Sequence, residues 1–225
     1  MAQGLFITGT DTGCGKTEIT LGLMHHLQQT GLTVLGMKPV AAGAEASSVG
    51  LQNEDARRIL RQGSLALRYA QVNPFVYAPP IAPHLAAAAA GQPIQVGPIL
   101  DEYDRLSELA DVVVVEGVGG WRVPLGPRLS LPDLVRAMDL SVILVVGLKL
   151  GCLNHALLTQ ESIRHAGVEL RGWVANQIDP EMQAREENIA TLSNWLDAPC
   201  LGKVPYLPRP ETARVSECLS GLQKK

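Results

Sequence analysis

Between a short apolar run, Leu5-Phe6-Ile7, and an amphipathic stretch at residues 17–29 lies the segment Gly9-Thr10-Asp11-Thr12-Gly13-Cys14-Gly15-Lys16-Thr17. Few arrangements constrain a chain more. A strand, a glycine-rich turn and a helix that opens on Gly-Lys-Thr bring backbone N–H groups to one point. The helix N-terminus adds its partial positive charge, and Lys16 and Thr17 supply an ammonium and a hydroxyl for phosphate and Mg²⁺. Five residues rather than the usual four separate Gly9 from Gly15. The expectation of a nucleotide-phosphate loop therefore rests on the flanking strand and helix as much as on the glycines. In the helix, Ile19, Leu23 and Leu27 recur at helical spacing and Gly31 marks its end.

Residues 33–37 read as a second apolar strand that runs into Lys38-Pro39-Val40-Ala41-Ala42-Gly43, where proline and glycine turn the chain out of the sheet. Lys38 is thus expected at a strand's carboxyl end, where open parallel sheets hold their ligands. Residues 54–61 read as a helix capped by Asn53, with Asp55 in its first turn; an acid there can serve the helix dipole or a ligand. Four prolines at 73–83 predict a stiff extended loop with no element of its own, a candidate substrate wall. The alanines at 86–90 and the pattern at 96–109 read as helices.

Val112-Val113-Val114-Val115 is an unbroken β-branched run, the mark of a strand buried on both faces. Glu116 ends it, placed to hold Mg²⁺ beside the first strand, and Gly117-Val118-Gly119-Gly120 lets backbone approach a ligand closely. Strands at 141–147, 172–175 and 201–204 alternate with helices at 154–165, with Leu157 and Leu158 facing inward, and at 188–196. Asn176 and Pro205 close the last two strands. The alternation predicts an α/β fold, a mostly parallel sheet flanked by helices on both faces, P-loop NTPase-like.

At 225 residues the chain is expected to form one domain, 1–225. A net charge of -3 with scattered cations gives no footprint for nucleic acid or an anionic membrane, so small-molecule partners are expected. Cys14, Cys152, Cys200 and Cys218 have neither metal spacing nor the density of a disulfide scaffold, which suggests reduced thiols in the cytoplasm. No basic segment with an apolar core opens the chain, and neither 142–150 nor 222–225 is long enough to cross a bilayer. Cys14, at a helix start two residues from Lys16, is either a thiol primed for alkylation or a small apolar replacement, and the second is expected. His84, His155 and Trp121 are expected to be structural.

Over residues 5–205 the chain resembles the dethiobiotin synthetases, the penultimate enzymes of biotin synthesis. The carriers are Gly9-Thr10-Asp11-Thr12 with Gly15-Lys16-Thr17, then Lys38-Pro39-Val40, residues 53–55, Ala82-Pro83-His84, Glu116-Gly117-Val118-Gly119-Gly120-Trp121, Leu150-Gly151-Cys152-Leu153-Asn154-His155, and residues 172–176. The resemblance implies an ATP- and Mg²⁺-dependent ring closure. CO₂ adds to an amine of 7,8-diaminopelargonic acid, ATP phosphorylates the carbamate, and the second amine closes the cyclic urea. It implies that Lys16 grips the β and γ phosphates within an ATP site that includes Gly13, Cys14, Gly15, Thr17 and Glu116. Thr17, Asp55 and Glu116 hold Mg²⁺, while Thr12 and Lys38 meet the reacting groups.

By the same resemblance, Asn176 reads adenine in a slot with Pro205 and Leu207. Ala42 and Gly119 contact substrate, and Leu150, Gly151, Cys152, Leu153 and Asn154 bind its carboxylate across a homodimer interface. Two lysines at adjacent strand ends would then bracket the γ-phosphate. Three positions depart from the family: Ala42 stands where serine is usual, Gly13 where an acid is common, and Asn188 where a tyrosine can help hold the substrate carboxylate. One alternative is an ATP-driven partitioning or positioning switch that works through protein partners. Such switches carry an extra lysine early in the loop, where this chain has Thr10, Asp11 and Thr12. Another is a related cobalamin-pathway synthetase, which needs a glutaminase domain that this length does not accommodate.

Overall fold

The computed structural model describes residues 2–220, so the 222–225 segment weighed above lies outside them. The chain opens as β1 (Gln3–Gly9), α1 (Lys16–Gln29) and β2 (Val34–Met37). An excursion follows: β3 (Val40–Ala42), the hairpin β4 (Glu45–Ser47) and β5 (Gly50–Gln52), α2 (Glu54–Gln62), α3 (Tyr69–Val72), β6 (Phe75–Tyr77) and α4 (Pro83–Ala89). It returns through α5 (Val96–Leu109), β7 (Val112–Glu116), α6 (Leu131–Ala137), β8 (Ser141–Leu148) and α7 (Cys152–His165). The last elements are β9 (Leu170–Gln177), α8 (Arg185–Trp195), β10 (Cys200–Val204) and α9 (Thr212–Glu217).

Six strands form one parallel sheet in the order β10-β9-β8-β1-β7-β2. Side chains alternate across its strands, and the alternation builds two layers. Phe6, Val113 and Val115 pack with Ile99, Leu106 and Leu134 of α5 and α6. Leu5, Ile7, Val112 and Val114 pack with Ile19, Leu23 and Leu27 of α1 and Val215 of α9. A third cluster joins Leu144, Val146, Trp173 and Ala175 to α7 and α8. This is the predicted parallel sheet with helices on both faces. Among the described residues no helix is long and apolar enough to cross a membrane.

Two local expectations fail. Residues 73–83 are not a featureless loop, because Phe75–Tyr77 pairs in parallel with β3, and Pro83 enters the first turn of α4. The prolines at 74, 79 and 80 flank these three residues without removing their donors, and a helix tolerates proline where its first N–H groups have no partner. In α7 the buried face runs through Cys152, Ala156, Gln160 and Ile163, which leaves Leu157 half-buried and Leu158 exposed. An α-helix advances 100° per residue, so consecutive leucines do not share one narrow inward stripe.

Candidate active site

The glycine-rich loop sits at the carboxyl end of β1 and is pinned to the strands beside it. Thr10 N–H donates to the Val145 carbonyl at 3.0 Å, and the Asn176 amide donates to the Cys14 carbonyl at 2.9 Å. Gly15, at φ 88°, precedes α1 in the left-handed region, and a Cβ there would land on the Asn176 amide. Lys16 folds back over the loop, its Nζ 3.1 Å from the Asp11 carbonyl. Cys14 is buried in the core cluster that holds Ile7, Ile19 and Val145, its Sγ 4.0 Å from Lys16 Nζ.

Four polar side chains from four elements converge in front of this loop. Thr17 donates its hydroxyl to Glu116 Oε1 at 3.0 Å, and Lys38 Nζ donates to the same oxygen at 2.5 Å and to Asp55 Oδ2 at 3.0 Å. Asp55 reaches this point because Asn53 caps α2, its Oδ1 accepting from Ala56 N–H at 3.3 Å. The strand ends that carry Lys16 and Lys38 are not adjacent as expected. β7 lies between β1 and β2 and puts Glu116 between the two lysines. Burial alone opposes a charged Lys38, but Glu116 and then Asp55 outweigh it and hold the ammonium above the ordinary lysine pKa. Burial likewise opposes ionised Asp55, and Lys38 draws its carboxyl below the usual aspartate value with help from Thr17.

Glu116 is fully buried, and its Oε2 has no hydrogen-bond partner. An orphaned carboxylate oxygen beside a hydroxyl and a second carboxylate is the all-oxygen donor set that suits Mg²⁺ or its waters.

A cleft of about 350 Å³ opens over this cluster. Of the predicted site residues, Thr12, Gly13, Gly15, Lys16, Thr17, Lys38, Ala42, Asp55, Glu116 and Gly119 line it. Others stand apart. Pro205 borders a second hollow with Gln177, Arg185 and Lys203, and Leu207 leans on the α1 side of the core. Leu150 is 97% exposed, Gly151 starts α7, Cys152 is buried, Leu153 is half-buried and Asn154 is exposed. Trp121 is buried in the core, as expected of a packing residue.

The cleft also holds Arg58 and Glu18, which sequence reasoning passed over. Arg58 grips Glu18 through two bonds of 2.6 and 2.7 Å and so clamps α2 to α1. Outside the cleft lining, Lys149 pairs with Asp11 of the loop at 2.9 Å. Arg58 stands three residues after Asp55, a spacing that puts both on one helix face and could have drawn notice.

A family described as AAA domain (AAA_26) matches residues 3–214. A Pseudomonas aeruginosa protein named ATP-dependent dethiobiotin synthetase BioD is 51% identical over 212 residues, 94% of this chain and 93% of that protein. A Xanthomonas oryzae pv. oryzae protein of the same name is 46% identical over 214 residues, 95% of this chain and 96% of that one. Among solved structures, the MinD cell division protein of Aquifex aeolicus superposes with a TM-score of 0.59 at 16% identity, covering 97% of this chain and 87% of that one. A ParA family ATPase from Chlorobium tepidum gives 0.59 at 11% identity, covering 98% and 91%. Likeness at such identities is a likeness of fold alone.

Proposed function

The chain belongs to the ATP-dependent dethiobiotin synthetases, and we propose that it acts as a single 1–225 domain, in the cytoplasm, to close a cyclic urea on 7,8-diaminopelargonic acid. One amine adds to CO₂ and loses a proton to give a carbamate. A carbamate oxygen then attacks the γ-phosphorus of ATP as the bond to ADP breaks, and the second amine attacks the carbamoyl carbon, expelling phosphate and losing its proton. The observation that carries this reading is the convergence of Lys38, Asp55, Glu116 and Thr17 on one cleft with Lys16 and Thr12. Phosphoryl transfer needs positioning and positive charge more than covalent help.

In this reading Lys16 and the loop N–H groups hold the β and γ phosphates. Lys38, kept charged by its two carboxylates, meets the transferring phosphoryl group, and Thr12 orients the carbamate beside Ala42 and Gly119. Thr17, Asp55 and Glu116 would hold Mg²⁺, which when bound neutralises charge on the transferring phosphates. Asn176, Pro205 and Leu207 would receive adenine. Leu150, Gly151, Cys152, Leu153 and Asn154 would take the substrate carboxylate of a neighbouring protomer. The exposure of two large apolar side chains, Leu150 just before α7 and Leu158 within it, supports a homodimer.

The test is phosphate release from ATP with Mg²⁺ and bicarbonate, with and without 7,8-diaminopelargonic acid, and mass spectrometry of the product. Diamine-dependent release of the cyclic urea is expected; release that ignores the diamine favours a partner-driven ATPase. For the dimer, light scattering should give twice the chain mass, and Leu158→Glu should halve it.

A further inference from the structure

Behind the Lys38–Asp55 ion pair, two side chains with no part in the roles described so far, Tyr69 and Asn73, form a relay that ends on the α2 cap, Asn53. The Tyr69 hydroxyl accepts from the backbone N–H of Asn53 at 2.8 Å and donates to Asn73 Oδ1 at 2.7 Å. Asn73, 2% exposed, donates through Nδ2 to the Lys38 carbonyl at 2.6 Å and to the Phe75 carbonyl at 3.1 Å. Asn53 donates through its own Nδ2 to the carbonyls of Ala42 and Gly43, both at 3.4 Å. One end of the relay therefore grips the backbone of Lys38, and the other fixes the cap of α2, two residues before Asp55.

The direction of the relay is forced. Two carbonyls face the nitrogen of Asn73, so its oxygen must face Tyr69, and the Tyr69 hydroxyl must donate there and accept from Asn53. Burial raises the phenol's pKa and keeps the donor proton in place at neutral pH. Lys38 and Asp55 sit on separate elements, and no regular secondary structure sets the distance between them.

We infer that Tyr69 is a positioning residue for phosphoryl transfer, its hydroxyl holding the end of β2 and the start of α2 in the register that seats the Lys38 ammonium on Asp55. The inference rests on the synthetase reading for its link to turnover, and on geometry alone for its link to Lys38. Tyr69→Phe leaves the ring in place and strands two buried polar groups. A displacement of about 1 Å at a reacting group can cost roughly 10²-fold in rate, so kcat should fall about 10- to 100-fold, with KM for ATP little changed.

Tyr77→Phe is the matched control. It also removes a buried phenol's bond, to the Gln92 carbonyl at 2.8 Å, and should lower stability without lowering kcat. Asn73→Asp breaks the relay at its next link. If the two residues act as a unit, the double variant loses no more rate than the worse single one. Independently of turnover, the ¹⁵N resonance of the Lys38 ammonium should shift in Tyr69→Phe and stay in place in Tyr77→Phe. Unchanged kcat in Tyr69→Phe, or losses that simply add in the double variant, would overturn the inference. If the unaltered protein shows no diamine-dependent turnover, the synthetase reading falls instead. The Lys38 resonance then decides the relay, and no shift in Tyr69→Phe would overturn it.

Discussion

Lys38 and Glu116 face each other because of strand register. β2 pairs with β7 so that Met37 stands opposite Val115, and the next residue of each strand turns to the other face at the carboxyl end of the sheet. The two meet at 2.5 Å, with Glu116 fully buried and Lys38 nearly so. The carboxylates beside it outweigh the burial that opposes a charged Lys38, so the ammonium is delivered to the cleft with its charge secured.

Substituting Lys38 should therefore do two separable things. Removing the charge with Lys38→Ala should lower kcat by about 10²- to 10³-fold, as for loss of one preorganised donor, with a much smaller change in ATP affinity. It also leaves Glu116 buried without its partner, which should cost about 3–5 kcal/mol of stability. Lys38→Arg keeps the charge but not the compact shape, and should recover stability more than rate. Steady-state kinetics beside thermal melts would separate the two effects; an unchanged kcat in Lys38→Ala removes Lys38 from the mechanism.

A pH-dependent stability term sits outside the cleft lining, at the start of α6. Asp133 accepts from the Ser130 backbone N–H at 2.9 Å and from its hydroxyl at 2.5 Å, closing a capping box. The Ser130 hydroxyl, more than any other group, draws the Asp133 carboxyl below the usual aspartate value, with Arg136 adding to the effect. A depressed carboxylate stabilises the fold above the unfolded pKa of about 3.9 and loses that contribution as pH falls through the lower folded value. Asp133→Asn should cost roughly 1 kcal/mol at neutral pH, the scale of one cap. In denaturant melts the gap should close on acidification, and a gap that persists in acid would refute the assignment.

The main sheet was legible because its strands announce themselves locally. Val112 to Val115 needs no distant partner to read as a buried strand, and the period at 96–109 returned α5 with the same bounds. The order of strands was less accessible. β7 comes late in the chain yet inserts between β1 and β2, so the contact of Lys38 with Glu116, 78 residues on, is a fact of pairing that no local pattern encodes. The pair β3 and β6 escaped for a similar reason. Each is three residues long, and neither has a pattern until the other is beside it. The relay through Tyr69 was out of reach because it joins three segments by single polar atoms.

The two left-handed glycines of the loop should behave differently. Gly15, at φ 88°, has no room for a Cβ because the Asn176 amide occupies that space, and Gly13, at φ 78°, faces open space. Gly13→Ala should cost only backbone strain, about 1–2 kcal/mol, and keep nucleotide binding. Gly15→Ala must also displace Asn176 from the Cys14 carbonyl, so it should bind a fluorescent ATP analogue much more weakly. Equal affinities for the two variants would mean that Asn176 does not support the loop.

Burial also decides how Cys14 responds to alkylation. The thiol is 1% exposed and packs against the closely approaching backbone of Gly9 and Gly147, which leaves no path for a reagent in the folded protein. Cys200 and Cys218 are half-exposed. Brief treatment with iodoacetamide should therefore modify Cys218 or Cys200 first, spare Cys14 and leave turnover intact, whereas denatured protein should react at all four thiols. Cys14→Ala should keep kcat and lose about 1 kcal/mol of stability, since it removes one buried atom from a close-packed site. Peptide mapping by mass spectrometry settles the order of labelling. Rapid modification of Cys14 that ATP blocks would show that the loop opens far enough to expose it, and the inert reading of this thiol would be wrong.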